Sequence, residues 1–427
     1  MSAGRRVVVT GLGVIAPNGN GVAEFERALR EGRSGLRHRE DMQELGFGCQ
    51  VAAVPEGVEA LAERSFSAEE LFAMNAIHRY AALVALEAWQ DAGLARPDAA
   101  DDRVDWDSGA ILGTGIGGMD TIGDRVVPFV NGKKVRRLGS TAVEQVMASG
   151  VSARVSGLLA LGNQVSTNSS ACATGVEAIA LGAERIAQGA AERMVCGGAE
   201  IATPYIWAGF DAMRVLSRRF NAAPEQASRP LSASAGGFVP GAGAGALLVE
   251  SLDSARGRGA RIYAELRGAA INCGGHRSGG SMTAPNPEGV RRCIRAAVAA
   301  AGIAPAEVQA ISGHLTATAA DPREVACWAD ALQRGPGDFP LITSTKSLIG
   351  HTLGAAGAIE SVAALLMLQN GFVHASRNCE DLHPEIAPYA DSVPHELHKA
   401  PELRLLMKAG FGFGDVNAAL VLQKWED

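Results

Sequence analysis

The sequence predicts an α/β protein made of two similar halves, and three observations lead to this class. Strand-like apolar runs alternate with amphipathic helical runs along the chain, and the alternation begins again near residue 255. The composition fits as well: 52 of the 427 residues are glycine and 47% are hydrophobic, but only 5% are aromatic, as in closely packed α/β layers with short turns. We expect one half to span residues 1–255 and the other residues 256–427.

The first half begins with a predicted strand at residues 5–13, where Gly11 and Gly13 indicate a turn at its end. No third glycine follows at the spacing of a dinucleotide-binding fold, so we set that fold aside. A long helix is expected over residues 67–94, with Ser67 at its start. The other predicted elements of this half are a helix at 22–30, a strand that begins at 109, and strands at 193–200 and 243–250.

One cysteine of the first half lies where a helix begins. After Cys172, apolar residues recur at helical spacing to about residue 187, and Gly189 stands where a helix would end. Small neighbours leave room around the sulfur, and the free N–H groups of a helix's first turn favour an anion. We therefore expect a reactive thiol with a pKa below the free value of about 8.5. The alternative is a buried structural cysteine.

The second half repeats the alternation of strands and helices. One helix is predicted to open with Asp321 as its cap and Pro322 at its first position. Another helix runs from about Gly354 to Gly371. The remaining predicted elements are a strand near 262–268, a helix at 288–302, and strands at 308–312, 340–344, 404–410 and 418–422.

Two histidines of the second half occupy places similar to that of Cys172. His314 and His351 each stand near the end of a predicted strand, before a Gly- or Thr-rich turn and a helix. Ligands of open α/β sheets gather at the carboxyl ends of strands, so we expect these three side chains to meet in one pocket. No two of them have the short spacing of a zinc ligand pair, and we expect no metal. For either histidine alone, a structural hydrogen bond is the alternative.

Charge and cysteine content exclude several classes of protein. The net charge of −7 argues against nucleic-acid binding. Seven cysteines without a Cys-x-x-Cys pair argue against a disulfide framework and fit a reducing cytoplasm, and no apolar run is long enough to predict a membrane span. Basic residues still form two clusters, which are either solvated loops or a docking site for an acidic partner: Lys133, Lys134, Arg136 and Arg137, and Arg214, Arg218 and Arg219.

At this point the chain resembles a known family, the β-ketoacyl-[acyl-carrier-protein] synthases of the thiolase-like condensing enzymes, in the branch that uses two histidines. The resemblance implies a five-layered α/β/α/β/α duplication with two mixed sheets around buried helices, and a homodimer. The motifs that carry it run from Arg5 nearly to the C-terminus: Val7-Val-Val-Thr-Gly-Leu-Gly13, Ala171-Cys-Ala-Thr-Gly175, Gly197-Gly-Ala-Glu200, His314 with Thr316 and Thr318, Lys346 with His351 and Glu360, and Gly410-Phe-Gly-Phe-Gly414 with Asn417.

The resemblance also implies the chemistry. Cys172 would take an acyl group from a thioester on the 4′-phosphopantetheine of an acyl carrier protein, with no bound cofactor. His314 and His351 would hold the malonyl thioester and stabilise the enolate that forms when carbon dioxide leaves. Lys346 would orient this site, and the supporting residues would be Glu360, Thr316, Thr318 and Asn417.

The resemblance further assigns a gate and a docking surface. The backbone N–H groups of Cys172 and Phe413 would form an oxyanion hole, and Phe413 with Phe411 would gate the acyl pocket. Family members meet the carrier protein at the stretches that contain Lys133, Lys134, Arg136, Arg137 and Arg214.

The chain departs from the family pattern in four places, and these departures bear on substrate range, gating and docking. Leu315 follows His314 where glycine is usual, and the segment from Thr318 to Asp321 is one residue short. Asp415 replaces a glycine of the gating loop. In the stretch 229–242, the usual acidic and arginine residues between Pro230 and Phe238 are lacking, and Ala242 stands where an acid is common.

Four functions remain to be weighed. The first is fatty-acid elongation by condensation, and the second is the same chemistry in a type II polyketide or aryl polyene pathway, with a chain-length-factor-like partner in a heterodimer. A non-catalytic partner subunit is the third, and Cys172 argues against it because such subunits lack the nucleophile. The fourth is a thiolase, which would need a second catalytic cysteine late in the chain, and none follows Cys379.

Overall fold

The computed structural model describes residues 4–426, which form alternating strands and helices. The strands are β1 Val7–Ala16, β2 Gly19–Asn20, β3 Leu36–His38, β4 Val51–Ala53, β5 Ser108–Gly113, β6 Val165–Ser166, β7 Arg193–Glu200, β8 Gly243–Ser251, β9 Ala264–Cys273, β10 Ala310–Ser312, β11 Leu341–Thr343, β12 Phe372–Val373, β13 His398–Lys399, β14 Leu405–Gly412 and β15 Val416–Lys424. The α-helices are α1 Val22–Glu31, α2 Glu40–Glu44, α3 Val58–Ser65, α4 Ala68–Ala73, α5 Ala76–Asp91, α6 Met119–Thr121, α7 Val127–Asn131, α8 Ala142–Val146, α9 Gly150–Leu159, α10 Thr174–Ala187, α11 Pro204–Ala212, α12 Leu252–Gly257, α13 Pro287–Ala301, α14 Asp321–Leu332, α15 Lys346–Ile349 and α16 Ala356–Asn370.

The two halves of the large sheet have the same topology. Neighbouring strands run β6-β5-β7-β8-β1 in the first half and β11-β10-β14-β15-β9 in the second, so each half places its third, second, fourth, fifth and first strand side by side. Parallel and antiparallel pairs also occur in the same places. The predicted duplication is thus confirmed in the strand order, and the boundary near residue 255 stays a prediction.

The strands and helices stack in five layers. The central layer is α10 with α16, which pack between the two half-sheets in the largest apolar cluster. Helices α5 and α9 cover the outer face of the first half-sheet, while α13 and α14 cover that of the second. The half-sheets also join edge to edge, because β1 and β9 pair at Val8 with Glu265 and at Val9 with Ala264.

The two central helices cross at their N-terminal ends. A Cβ atom on Gly175 would collide with the backbone of Ala358, and one on Gly357 would collide with Val176. Glycine is therefore needed on both helices for this close approach. The crossing brings the residues that precede α10 and α16 to one place.

Helix α16 also has the composition of a membrane-spanning segment. Its window of residues 353–370 has a mean hydropathy of 1.3, but 89% of that window is buried inside the protein. A helix that is apolar on all sides is expected in the centre of a five-layered fold, where sheets cover both of its faces.

Two predictions for the first half are wrong in an informative way. Gly11 and Gly13 do not form a turn but lie inside β1. They are glycines because α5 packs so closely on them that a Cβ atom on either residue would collide with a carbonyl oxygen of that helix. The predicted helix 67–94 is divided into α4 and α5. Met74 is extended, and Asn75 caps α5 by accepting a hydrogen bond from the backbone N–H of His78.

One prediction for the second half is also wrong. Helix α14 does begin at Asp321, but its cap is Ala320. The Asp321 carboxylate turns back instead and accepts backbone N–H groups of Thr316 at 2.9 Å and Ala317 at 3.1 Å. A side chain that was expected to cap the helix therefore shapes the loop before it.

Candidate active site

Cys172 stands just before α10, in a short 3-10 turn over Ala171–Ala173. Ala171 has φ +49, an uncommon conformation for a residue other than glycine. The second half repeats this feature, because Leu353 has φ +49 in the 3-10 turn Leu353–Ala355 that precedes α16. In this comparison Gly354 takes the place of Cys172, so the second half has the turn without the thiol.

The structure brings Cys172, His314 and His351 together, as predicted. The Sγ atom of Cys172 is 3.1 Å from Nε2 of His351, and one potential ligand atom from each of the three residues lies within 4.8 Å of the other two. The two imidazole rings are 5.5 Å apart between centroids and nearly perpendicular. A metal ion could use such a set, so the expectation that none is bound stays a prediction.

The surroundings of His351 fix where its proton lies. The backbone N–H of Leu353 donates to Nδ1 of His351 at 3.3 Å, so a neutral ring carries its proton on Nε2. Burial lowers the pKa of His351 well below its usual value, and the Lys346 charge lowers it further. Burial and the same lysine also lower the pKa of His314. Both rings are therefore neutral near pH 7, and His351 presents Nε2–H to the sulfur.

The prediction of a lowered cysteine pKa is wrong. Burial raises the pKa of the Cys172 thiol to about 11, although the Lys346 charge and the backbone N–H of Phe413 act in the opposite direction. Desolvation of the buried anion is the largest effect on this thiol, and α10 itself begins only at Thr174. Cys172 is thus a neutral thiol beside a neutral imidazole until a substrate arrives.

A buried cluster of three charges lies behind the histidines. Glu360 is 1% exposed and accepts Lys346 on one carboxylate oxygen and Lys408 on the other, the latter at 2.7 Å. The resemblance names Lys346 and Glu360 separately, and the structure pairs them, but sequence reasoning missed Lys408. A lysine within the apolar strand Leu405–Gly412 was the available signal, because lysine is almost never fully buried without a partner.

Two further buried acids shape the backbone of the site: Glu324, which sequence reasoning missed, and Glu200, which stands in a family motif without an assigned role. Glu324 accepts the N–H groups of His314 at 2.6 Å and Leu315 at 2.7 Å. Glu200 accepts the N–H groups of Gly115 at 2.8 Å and Gly354 at 3.0 Å. Burial raises the pKa of each carboxyl to about 7. Leu315 itself has φ +25, and its side chain is fully buried, which accounts for an apolar residue where glycine is usual.

The three reactive groups open into one cavity of about 470 Å³. Its walls include Thr316 and Thr318, whose hydroxyl groups are 3.0 Å apart, and both Phe411 and Phe413. Sequence reasoning missed Phe238, another wall residue, whose ring stands 5.2 Å from that of His351. The other wall residues include Phe210, Met213, Val215, Thr283, Ala284, Pro285, Pro287, Val290, Arg323 and Cys327.

Asn417 is not among the wall residues but supports the Phe413 turn. Its amide donates to the backbone oxygen of Asp415 at 3.3 Å. Asp415 has φ +62 and is fully buried, and its carboxylate accepts the N–H groups of His276 at 3.0 Å and Asn286 at 2.7 Å. The departure from glycine thus ties the Phe413 turn to a neighbouring loop.

The basic residues assigned to docking are all exposed, in two segments. Lys133, Lys134, Arg136 and Arg137 follow α7, while Arg214 follows α11. The hydroxyl group of Tyr205 on α11 donates to Asp124 at 2.6 Å, close to the start of α7. This contact joins the two segments through their helices, and their role in docking stays a prediction.

Comparisons with known proteins agree with this geometry. The N-terminal domain of β-ketoacyl synthases matches residues 4–255, and the C-terminal domain matches residues 263–380. The 3-oxoacyl-[acyl-carrier-protein] synthase 2 of Coxiella burnetii is 35% identical over 430 residues, which cover 98% of this chain and 99% of the relative.

Two solved structures are similar along the whole chain. The ishigamide ketosynthase/chain length factor is 31% identical, with a TM-score of 0.88 over 99% of this chain and 100% of that chain. A type II polyketide synthase acyl-carrier protein in complex with its ketosynthase bound to the hexaketide is 30% identical, with a TM-score of 0.86 over the same shares.

Proposed function

This chain belongs to the β-ketoacyl synthase family, and we propose that Cys172, His314 and His351 carry out its reaction. The enzyme is an acyltransferase that forms carbon–carbon bonds between an acyl group and malonyl units held on a carrier protein's phosphopantetheine. The observation that carries the proposal for the residues is the meeting of one thiol and two neutral imidazoles within 4.8 Å in a single cavity.

In the first step, Sγ of Cys172 attacks the carbonyl carbon of an acyl thioester. A new carbon–sulfur bond forms, the bond to the carrier's sulfur breaks, and the proton of the Cys172 thiol ends on the released carrier thiol. The carbonyl oxygen takes up negative charge during attack, and the backbone N–H groups of Cys172 and Phe413 stabilise it. Burial raises the pKa of the free thiol to about 11, so only a small fraction of Cys172 is the nucleophilic thiolate near pH 7 before a substrate binds.

In the second step, malonyl thioester enters and loses carbon dioxide. The electrons of the broken carbon–carbon bond remain as an enolate, whose oxygen accepts Nε2–H of His351 and a ring N–H of His314. Loss of one such donor typically costs about 3 kcal/mol of transition-state stabilisation. The enolate carbon then attacks the acyl carbonyl, the bond to Cys172 breaks, and the thiolate takes a proton from solvent.

A polyketide or aryl polyene pathway is the second candidate. The 31% and 30% identities to type II ketosynthase structures support it, alongside the 35% identity to a fatty-acid-type synthase. The chemistry is the same in both pathways, and they differ in the acyl chain and in the partner subunit. We propose fatty-acid elongation first.

We further propose that the protein acts in the cytoplasm as a homodimer, with a chain-length-factor-like partner as the alternative. β6 lies at the end of the large sheet and leaves an edge for pairing. The exposed basic residues after α7 and α11 are proposed to receive the acidic carrier protein.

The experiment is reconstitution with acyl- and malonyl-carrier protein, followed by mass analysis of the carrier-bound product and of released carbon dioxide. Wild type should give β-ketoacyl product, and Cys172→Ala should give none. His314→Ala and His351→Ala should accept the acyl group but lose condensation by about a hundredfold. Product from Cys172→Ala at the wild-type rate would contradict the assignment.

A further inference from the structure

One cation at the rim of the reaction cavity has no partner. Arg323 is exposed on the first turn of α14 and lines the cavity that contains Cys172. Within residues 4–426 its guanidinium makes no hydrogen bond and no ion pair, although most other arginines of this acidic chain do. A free guanidinium beside a substrate cavity is suited to an anionic part of the substrate.

The two acids that flank Arg323 in sequence do not neutralise it. The Asp321 carboxylate accepts backbone N–H groups of Thr316 and Leu231, the latter at 3.0 Å. The carboxylate of Glu324 is likewise turned inward, where it accepts the N–H groups of His314 and Leu315. The positive charge of Arg323 therefore stays available to a molecule that enters the cavity.

The wall of the cavity changes in character from the inside to the rim. His314 is 8% exposed, Thr316 and Thr318 are half-buried, and Arg323 is exposed. A phosphopantetheine thioester has the same order of groups: the thioester, two amides that bond to hydroxyl groups, and a phosphate. Arg323 follows Thr318 by five residues and lines the same cavity as both threonines.

We propose that Arg323 binds the phosphate of the carrier's phosphopantetheine arm and so favours phosphorylated over unphosphorylated thioesters. This inference rests on the proposed function. The guanidinium forms a charge-assisted pair with the phosphate oxygens, while the thioester reaches Cys172 and the threonine hydroxyl groups face the amides. Arg323 is thus a specificity-determining residue and takes no part in bond making.

The test measures acylation of Cys172 from three donors with the same acyl group: the acyl-carrier protein, the free acyl-phosphopantetheine and the free acyl-pantetheine. Arg323→Gln should lower kcat/KM for the two phosphorylated donors about five- to tenfold and leave the pantetheine donor unchanged. Arg323→Lys keeps the charge but not the planar guanidinium, so its kcat/KM for the phosphorylated donors should lie between those of the wild type and Arg323→Gln. Added salt should reduce the difference between donors.

Arg214→Gln is the matched control, because Arg214 is also an exposed arginine but lies in a proposed docking segment. It should weaken transfer from the carrier protein only. If Arg323→Gln also affected only the carrier-bound donor, Arg323 would contact the carrier's own surface and the proposal would be overturned. An equal loss with all three donors would overturn it too. No acylation of the wild type by any donor would instead refute the proposed function, and this inference with it.

Discussion

Glu360 should be far more important for stability than either lysine that it pairs with. The carboxylate is shared by Lys346 and Lys408, and all three side chains are at most 1% exposed. Glu360→Gln leaves two cations buried side by side without a counter-charge. Breaking a buried pair costs about 3–5 kcal/mol, and here two pairs are broken at once.

Lys408→Met provides the matched comparison. It removes one cation but leaves Lys346 paired with Glu360, and methionine fills much of the volume of the lysine side chain. The variant loses the contact with Glu360, whose charge stays compensated by Lys346. It also loses the bonds from Nζ of Lys408 to the backbone oxygens of Ser312 and Ala409, which are worth about 1–2 kcal/mol. We therefore expect Glu360→Gln to be destabilised by about 3 kcal/mol more than Lys408→Met.

Urea unfolding near neutral pH, followed by circular dichroism, measures both variants against the wild type. Total stabilities of domains are about 5–15 kcal/mol, so Glu360→Gln should show a much lower midpoint and could fail to accumulate as folded protein. Lys408→Met should stay folded with a small shift. Equal stability losses in the two variants would refute the view that Glu360 compensates both lysines.

Three further predictions follow from the site. Alkylation of Cys172 by iodoacetamide should accelerate with pH through pH 10 without a plateau, because burial raises the thiol pKa to about 11; a plateau below pH 8 would contradict this. The contribution of Glu200 to stability should fall as pH rises from 4.5 towards 7, since burial raises its folded pKa from 4.5 to about 7. Measured against the wild type in pH-dependent unfolding, Glu200→Gln should therefore gain stability as pH rises through this range, and a constant difference would contradict this. Asp415→Gly should lower the free energy of unfolding by about 2 kcal/mol, because the backbone N–H groups of His276 and Asn286 lose the carboxylate that accepts them, although the strain of a positive φ at residue 415 is relieved. An unchanged urea midpoint would argue against this.

Much of the fold could be predicted from local patterns. Strand β7 spans the predicted residues 193–200, and α13 lies within one residue of its prediction, because apolar periodicity is strong in both. The glycines of β1 could not be interpreted correctly from local sequence. From local sequence, a glycine that ends a strand cannot be distinguished from a glycine that allows a helix to pack closely on the strand. Only the packing of α5 on β1 shows that Gly11 and Gly13 are of the second kind.

In the site, too, the reactive residues could be predicted from the sequence, but the effect of their surroundings could not. Cys172, His314 and His351 could be selected from their places after predicted strands and from the family resemblance. The sign of the Cys172 pKa shift could not, because it depends on how much water reaches the sulfur. Lys408 lies far in sequence from Glu360, and only the packed structure joins the two.

The most direct test of the central claim is intact-mass analysis after incubation with acyl-carrier-protein thioesters of several lengths. Wild type and Cys172→Ala are treated in parallel, and digestion locates the modified residue. The account predicts one acyl adduct on the wild type, on the peptide that contains Cys172, and none on the variant. An adduct of the same yield on Cys172→Ala, or none on the wild type with any donor, would contradict it.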